Sequence, residues 1–453
     1  MRTDVEVTDV DDDGEVIERA AAIDVAKASG TVCVRIPGRT RRITRVWDVK
    51  ATTGAIMALA DQLAELRVER VVVESTSDYW RPYFYLLEAK GITVWLVNAR
   101  DVKNVPGRPK TDKLDAIWLT KLNERGMLRP SFVPPREIRE LRDYTRLRAE
   151  LVEERSRHTQ RLEKLLEDSL IKLSTVATDL LGKSGRSMLE ALIAGQRDPE
   201  VLADLALGKM RKKTAALREA LTGRFDAHHA ELARMLLDEI DGLGDKIDRL
   251  TVRVDELVAA IERESCRRTE GTGGRPGGAE GSDTLSVRPP GPSVLERLDE
   301  VPGIGLRAAQ VIVAEVGLDM AQFPTAAHLV SWAKLSPRTI QSGPRTRSGR
   351  TGKGNPYLKG VLGEVASAAA KTDTFLGERY RRLVRRRGRQ RALVAVSRSI
   401  LVVVRHLLND PSARFVDLGS DFYDRRLNKD RRTRDLVRQL MALGHQVTLN
   451  PAA

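Results

Sequence analysis

Ala20-Ala21-Ala22-Ile23-Asp24-Val25-Ala26-Lys27 sets one acid inside an apolar run. Asp disfavours strands, so a carboxylate in such a run needs a reason. Three more acids stand in related settings. Glu74 ends Val71-Val72-Val73-Glu74, and Asp112 and Asp115 lie three apart in Lys110-Thr111-Asp112-Lys113-Leu114-Asp115-Ala116. Working outward, residues 20–25, 31–36 and 43–49 read as short strands, with turns at Ser29-Gly30 and Pro37-Gly38. Residues 53–66 read as an amphipathic helix, 70–74 as a buried strand, and 79–90 as a helix stopped by Gly91. Residues 92–98 form a further strand. A basic loop at 103–110 leads to a helix over 112–124, stopped by Gly126.

Three strands followed by alternating helix and strand is the order of an RNase H-like α/β sheet. In that order the first strand is central and the fourth lies beside it, so Asp24 and Glu74 become neighbours. The spacing of Asp112 and Asp115 puts both on one helical face. Four carboxylates gathered this way can hold two hard divalent cations, magnesium or manganese, which activate a nucleophile and stabilise a leaving oxygen. A plainer reading stands beside it for the last two: acids are stabilised at any helix N-terminus.

The rest of the chain is basic. Its 453 residues suffice for about two to three domains. A net charge of +14 points to a polyanionic partner. The two cysteines, Cys33 and Cys266, exclude a disulfide framework and a cysteine-rich zinc site. No stretch reads as long and apolar enough to span a bilayer, and the acidic N-terminus lacks a signal-peptide pattern. These features predict a cytoplasmic, nucleoid-associated protein with no membrane partner.

Residues 1–19 read as a flexible acidic leader and 20–132 as the α/β domain. Residues 133–263 read as a helical, coiled-coil region. Within it Ile240, Leu243, Ile247, Leu250, Val254, Leu257 and Ile261 alternate spacings of three and four. Such a seam requires a helical partner, either 137–170 of the same chain or a second chain. Residues 264–292 are rich in Gly and Pro and lack aromatics, so they read as a disordered linker. A mainly helical C-terminal domain occupies 293–453.

Two motifs stand out in that last domain. Val301-Pro302-Gly303-Ile304-Gly305 precedes an apolar helix. It reads either as a helix-hairpin-helix-like clamp, with amides near Gly303 and Gly305 holding phosphate, or as an ordinary helix-entry turn. The stretch 335–356 carries Arg338, Ser342, Gly343, Arg345, Arg347, Arg350 and Lys353. By composition it is a loop that grips nucleic-acid backbone, with Ser342 available as a nucleophile in a cationic field. Beyond it, Arg379 to Arg391, with Arg385, Arg386 and Arg387 in its middle, should neutralise phosphates.

Taken together these stretches resemble the insertion-sequence-110 family of transposases, understood as bridge-RNA-guided DNA recombinases. The resemblance runs through Ile23-Asp24-Val25-Ala26-Lys27, Glu74-Ser75-Thr76 and Lys110-Thr111-Asp112 to Asp115-Ala116. It continues in Val301-Pro302-Gly303-Ile304-Gly305, Phe323-Pro324, Leu335-Ser336-Pro337-Arg338, Gln341-Ser342-Gly343 and Lys353-Gly354-Asn355. Departures are Ser77 where the family usually has Gly, Ser336 where it has Ala, the long linker and the acidic leader. The resemblance implies a RuvC-like domain bearing a metal-binding tetrad, Asp24, Glu74, Asp112 and Asp115. It implies a C-terminal transposase domain whose nucleophile is Ser342, with sites shared between protomers of a homo-oligomer, dimer to tetramer. It also implies a structured non-coding guide RNA that pairs with donor and target DNA.

Overall fold

The computed structural model describes residues 17–98, 111–271, 291–426 and 429–450. The expected basic loop at 103–110 lies outside them, as do residues 1–16 of the leader and 272–290 of the linker. The chain divides into two compact units, Met1–Val133 and Pro134–Ala453.

In the first unit, β1 (Ala20–Val25), β2 (Ser29–Ile36) and β3 (Ile43–Lys50) are followed by α1 (Thr53–Glu65), β4 (Arg70–Glu74), α2 (Trp80–Ala89), β5 (Val94–Val97) and α3 (Asp112–Glu124). The sheet order is β3-β2-β1-β4-β5. β1 pairs antiparallel with β2 and parallel with β4, so the first strand is central as expected. β1 up to Ile23 and β4 from Val71 to Val73 are apolar because both faces are covered. Ala21, Ile23, Val25, Val71 and Val73 pack with Ile56, Leu59 and Leu63 of α1 and Tyr83 and Leu87 of α2. On the other face Ala22 and Val72 pack with Leu119 and Leu122 of α3. The end of the leader differs from expectation. Ile17 is buried, its N–H donates to the Glu124 carbonyl at 3.0 Å, and the Arg42 guanidinium donates to the Glu18 carbonyl at 2.6 Å. An apolar residue next to an acidic run is what anchors these last residues to the domain.

In the second unit the long helices Arg136–Asp168 and Ala227–Gly271 lie antiparallel and form an arm. Thr251 meets Arg148 at 3.5 Å and Arg253 meets Glu140 at 3.4 Å. Ile240, Leu243, Ile247 and Val254 are buried, so the chain's own first helix fills the seam. The second helix runs on to Gly271, past the expected linker start at 264, because no Gly or Pro stands between Glu264 and that glycine. Between the two, short helices enclose a separate core of Met188, Leu189, Leu192, Leu202, Leu217, Leu221 and Phe225. This small lobe closes the far end of the arm.

The C-terminal domain begins with a capping box, in which the Glu296 N–H donates to Ser293 Oγ and the Ser293 N–H to Glu296 Oε2. Its central helix, Arg389–Asn409, is long and apolar enough to cross a membrane by length and composition, contrary to expectation. Here it is a core helix. Val396, Ile400, Leu401 and Val404 are buried, and helices Ala326–Trp332, Pro356–Ala369 and Phe375–Arg387 pack around it. The stretch read as a loop contains a hairpin of β6 (Thr339–Ser342) and β7 (Arg345–Ser348).

Candidate active site

The β1–β4 register aligns Ile23 with Val73, which makes Asp24 and Glu74 the next residues along two parallel neighbours. Side chains alternate along a strand, so Asp24 shares the face of Ala22 and Glu74 that of Val72. That face is the one α3 covers. α3 runs opposite to β1: the Asn123 amide near its C-terminal end donates to the Ala21 carbonyl at 3.0 Å. Eight residues of helix from Asn123 back to Asp115 rise about 12 Å, and three residues of strand from Ala21 to Asp24 rise about 10 Å. The N-terminal end of α3 therefore comes level with the tips of β1 and β4. Asp112 is exposed, while Asp24, Glu74 and Asp115 are half-buried. The topology thus brings the elements bearing the four sequence-predicted carboxylates to one end of the sheet, though no three of these side chains place their oxygens within 4.8 Å of one another; among the described residues such a cluster is formed by Asp226, His228 and His229.

Local chemistry holds α3 in that position. The Thr111 hydroxyl caps its N-terminus, accepting from the Leu114 N–H at 3.3 Å. At the other end Asn123 is fully buried. Its amide also donates to the Arg70 carbonyl at 3.1 Å, and its side-chain oxygen accepts from Arg70 Nε at 2.8 Å. The buried Arg70 guanidinium lies 3.7 Å from the centroid of the Trp95 ring. The Thr120 hydroxyl donates to the Ala116 carbonyl at 2.7 Å and lies 3.3 Å from the Cys33 carbonyl, a contact between α3 and β2. Sequence reading passed over Asn123 and Arg70. Their signal was a polar residue on the apolar stripe of α3 and an arginine opening a buried strand.

Ser77, three residues after Glu74, has φ +46°. A left-handed conformation there explains why glycine suits this position.

Ser342 lies in the second unit. It ends β6 at the exposed tip of the hairpin and pairs with Arg345. A two-residue Gly343-Pro344 turn joins the strands, and Gly343 supplies the positive φ, +58°, at its first position. Ile340 pairs with Arg347, so Ser342, Arg345 and Arg347 share one face of the ribbon. A hydroxyl beside two guanidinium groups suits a phosphate. Arg338 and Lys353 are exposed near the hairpin's base, and Arg350 is exposed just past β7. Tyr357 suits the nucleophile's role poorly: its hydroxyl donates to Glu150 at 2.7 Å, and that carboxylate pushes the phenol pKa up.

Other predicted contacts have structural partners. A Cβ at Gly303 (φ +90°) would come within 2.4 Å of the Val365 carbonyl oxygen, so packing requires glycine there. Gly305 opens to solvent at the start of helix Leu306–Val316. Asn355 caps helix Pro356–Ala369 and donates to the fully buried Glu315 at 2.6 Å. Glu315 also takes both donors of Arg146, at 2.8 and 2.9 Å, and lies 3.1 Å from Arg142. Arg381 pairs with Glu378, and Arg382 stacks on Tyr423. Arg385, Arg386 and Arg387 are exposed on the last turn of their helix.

Comparison with known proteins agrees with this layout. A transposase family model, that of the IS110 DEDD domain, matches residues 21–171. A second, described as the transposase IS116/IS110/IS902 family, matches residues 295–381. The chain is 35% identical over 115 residues to the insertion element IS110 uncharacterized 43.6 kDa protein of Streptomyces coelicolor. That match spans 25% of this chain and 28% of the relative. The mixed five-stranded sheet is an RNase H-like DEDD domain, and the helical C-terminal region is a transposase domain. The chain belongs to the IS110 family of transposases.

Proposed function

We propose that the chain is an RNA-guided DNA recombinase of an insertion sequence, which cuts and rejoins DNA through a serine nucleophile and a metal-binding acidic tetrad. The observation that carries this reading is the register that sets Asp24 beside Glu74 beneath the N-terminal end of α3. An all-oxygen donor set, open to water at strand tips, fits magnesium or manganese. Carboxylates drawn together at one sheet end would favour a cation among them. When bound, the metal supplies Lewis acidity at the scissile phosphate. The residues that would hold it are Asp24, Glu74, Asp112 and Asp115.

Ser342 Oγ attacks phosphorus and loses its proton. A P–O bond to Oγ forms as the P–O bond to one deoxyribose oxygen breaks, and that oxygen leaves as a hydroxyl. Arg345 and Arg347, on the same ribbon face, balance the charge on the phosphate. The phosphoserine link keeps the bond energy. A second strand's hydroxyl can reverse the step and rejoin DNA without external energy. The family resemblance supports the guide RNA, the shared sites in a dimer-to-tetramer assembly and residence with the nucleoid. Base pairing then carries specificity, while Arg338, Arg350, Lys353 and Arg385 to Arg387 contact backbone.

The test uses a suicide DNA substrate. Asp112→Asn and Ser342→Ala should each abolish cleavage yet keep DNA binding. Mixed, they should restore part of it, with the covalent adduct on the Asp112→Asn chain. Efficient cleavage without an adduct would instead indicate a junction-resolving nuclease using water. Binding without cleavage by the wild type would indicate a scaffold.

A further inference from the structure

The small lobe at the end of the arm lies in the stretch between residues 171 and 295 that neither family model covers. One surface of it is strongly charged. From Leu205 to Arg218 the sequence holds Lys209, Arg211, Lys212, Lys213 and Arg218 and no acid. Four of these cations sit on the single 3-10 turn Gly208–Lys213, all exposed.

The turn is built rather than loose. Half-buried Met210 packs into the lobe's core. The Leu207 N–H donates to Ser184 Oγ at 2.9 Å, Arg211 to the Ala206 carbonyl at 3.2 Å, and Lys213 to the Val176 carbonyl at 2.9 Å. Among the described residues only Arg218 of the five has a carboxylate within 4.0 Å, Glu200 at 3.7 Å, although Asp204 and Glu219 flank the stretch. Four exposed cations on one turn, none of them in a close ion pair among the described residues, raise the local positive potential, so an anionic partner is the natural complement.

The partner's class follows from what the lobe lacks. Its one aromatic between residues 171 and 226, Phe225, is buried, so no ring is offered to unpaired bases. Backbone phosphate is what remains to be recognised. The arm sets the distance. From Arg146, docked on Glu315, to Leu166 in the lobe's core is twenty residues of helix, about 30 Å. A stiff duplex of more than about nine base pairs is long enough to run from the arm's base to the lobe.

We propose that the arm's tip, through Lys209 and Lys212 with Arg211 and Lys213, is a phosphate-backbone clamp for a duplex DNA long enough to reach it from the C-terminal domain. This rests on the reading of the chain as a DNA-acting protein.

The test is the full chain carrying Lys209→Glu and Lys212→Glu, with Lys209→Ala/Lys212→Ala as a milder second variant. The probes are labelled 40-bp and 8-bp DNA duplexes and a 40-bp RNA duplex, titrated at several salt concentrations. Affinity for the long DNA duplex should fall about tenfold, with the salt slope reduced by about two. The short duplex, too short to reach the tip, should be unaffected. Unchanged binding of long DNA by both folded variants overturns the clamp, as does a loss confined to RNA. Failure of the wild type to bind any DNA would instead sink the functional reading beneath it.

Discussion

Ser77 is the residue whose conformation departs most usefully from its type. A left-handed φ costs an L-residue about 1–2 kcal/mol, of which glycine's looser unfolded state returns part. Ser77→Gly should therefore stabilise the chain by about 0.5–1 kcal/mol. Denaturant unfolding followed by tryptophan fluorescence would measure it, since Trp47, Trp80, Trp95 and Trp118 lie in the first unit. A lower midpoint would mean that the Ser77 hydroxyl contributes more than its backbone loses. At this scale the acids were legible and their supports were not. Asp24 stands out because an acid in an apolar strand is rare. Asn123 does not, because near a helix C-terminus an asparagine ordinarily faces water.

At the scale of elements, α3 is held at both ends, by Thr111 capping one and Asn123 anchoring the other. Asn123→Ala leaves Arg70 Nε and two buried carbonyls without this partner. The expected loss is about 3 kcal/mol, read from the same denaturant curves. Cleavage should fall further than stability explains, because Asp112 and Asp115 ride on this helix. Activity intact at temperatures where the variant is folded would show that α3 needs no such anchor. The order of the sheet was readable from strand and helix alternation alone. The ribbon bearing Ser342 was not: its strands are four residues each, exposed over Thr339–Ser342 and at Arg345, Thr346 and Arg347, and carry no apolar alternation. The seam on 226–263 showed a helical partner but not which one. Only the packed positions, with Thr251 on Arg148, identify it as the chain's own. The lobe at the arm's end was missed because its helices are too short to show a period.

At the scale of the second unit, Glu315 is the junction between arm and C-terminal domain. Its buried carboxylate meets Arg142, Arg146 and Asn355 together. Breaking a buried ion pair by removing one partner leaves charge uncompensated. Glu315→Ala should destabilise this unit by about 3 kcal/mol, with Glu315→Gln falling between it and wild type. Hydrogen exchange should quicken both in Arg136–Asp168 and in Pro356–Ala369, because one carboxylate holds both. Quickening of the first alone would show that the helix after the Ser342 ribbon is fixed by other contacts. The arm's antiparallel geometry also implies an order of assembly. Its contacts join residues 61 apart at Asp168 and His229, 103 apart at Arg148 and Thr251, and 113 apart at Glu140 and Arg253. Closing the longest loop rather than the shortest adds about 0.5 kcal/mol of entropy, so zipping from the tip is favoured. The lobe can nucleate on its own neighbours, and the two helices then close toward the base. Synthesis runs the same way. Both arm helices have been made before Glu315 leaves the ribosome, so its arginine socket is ready when it arrives.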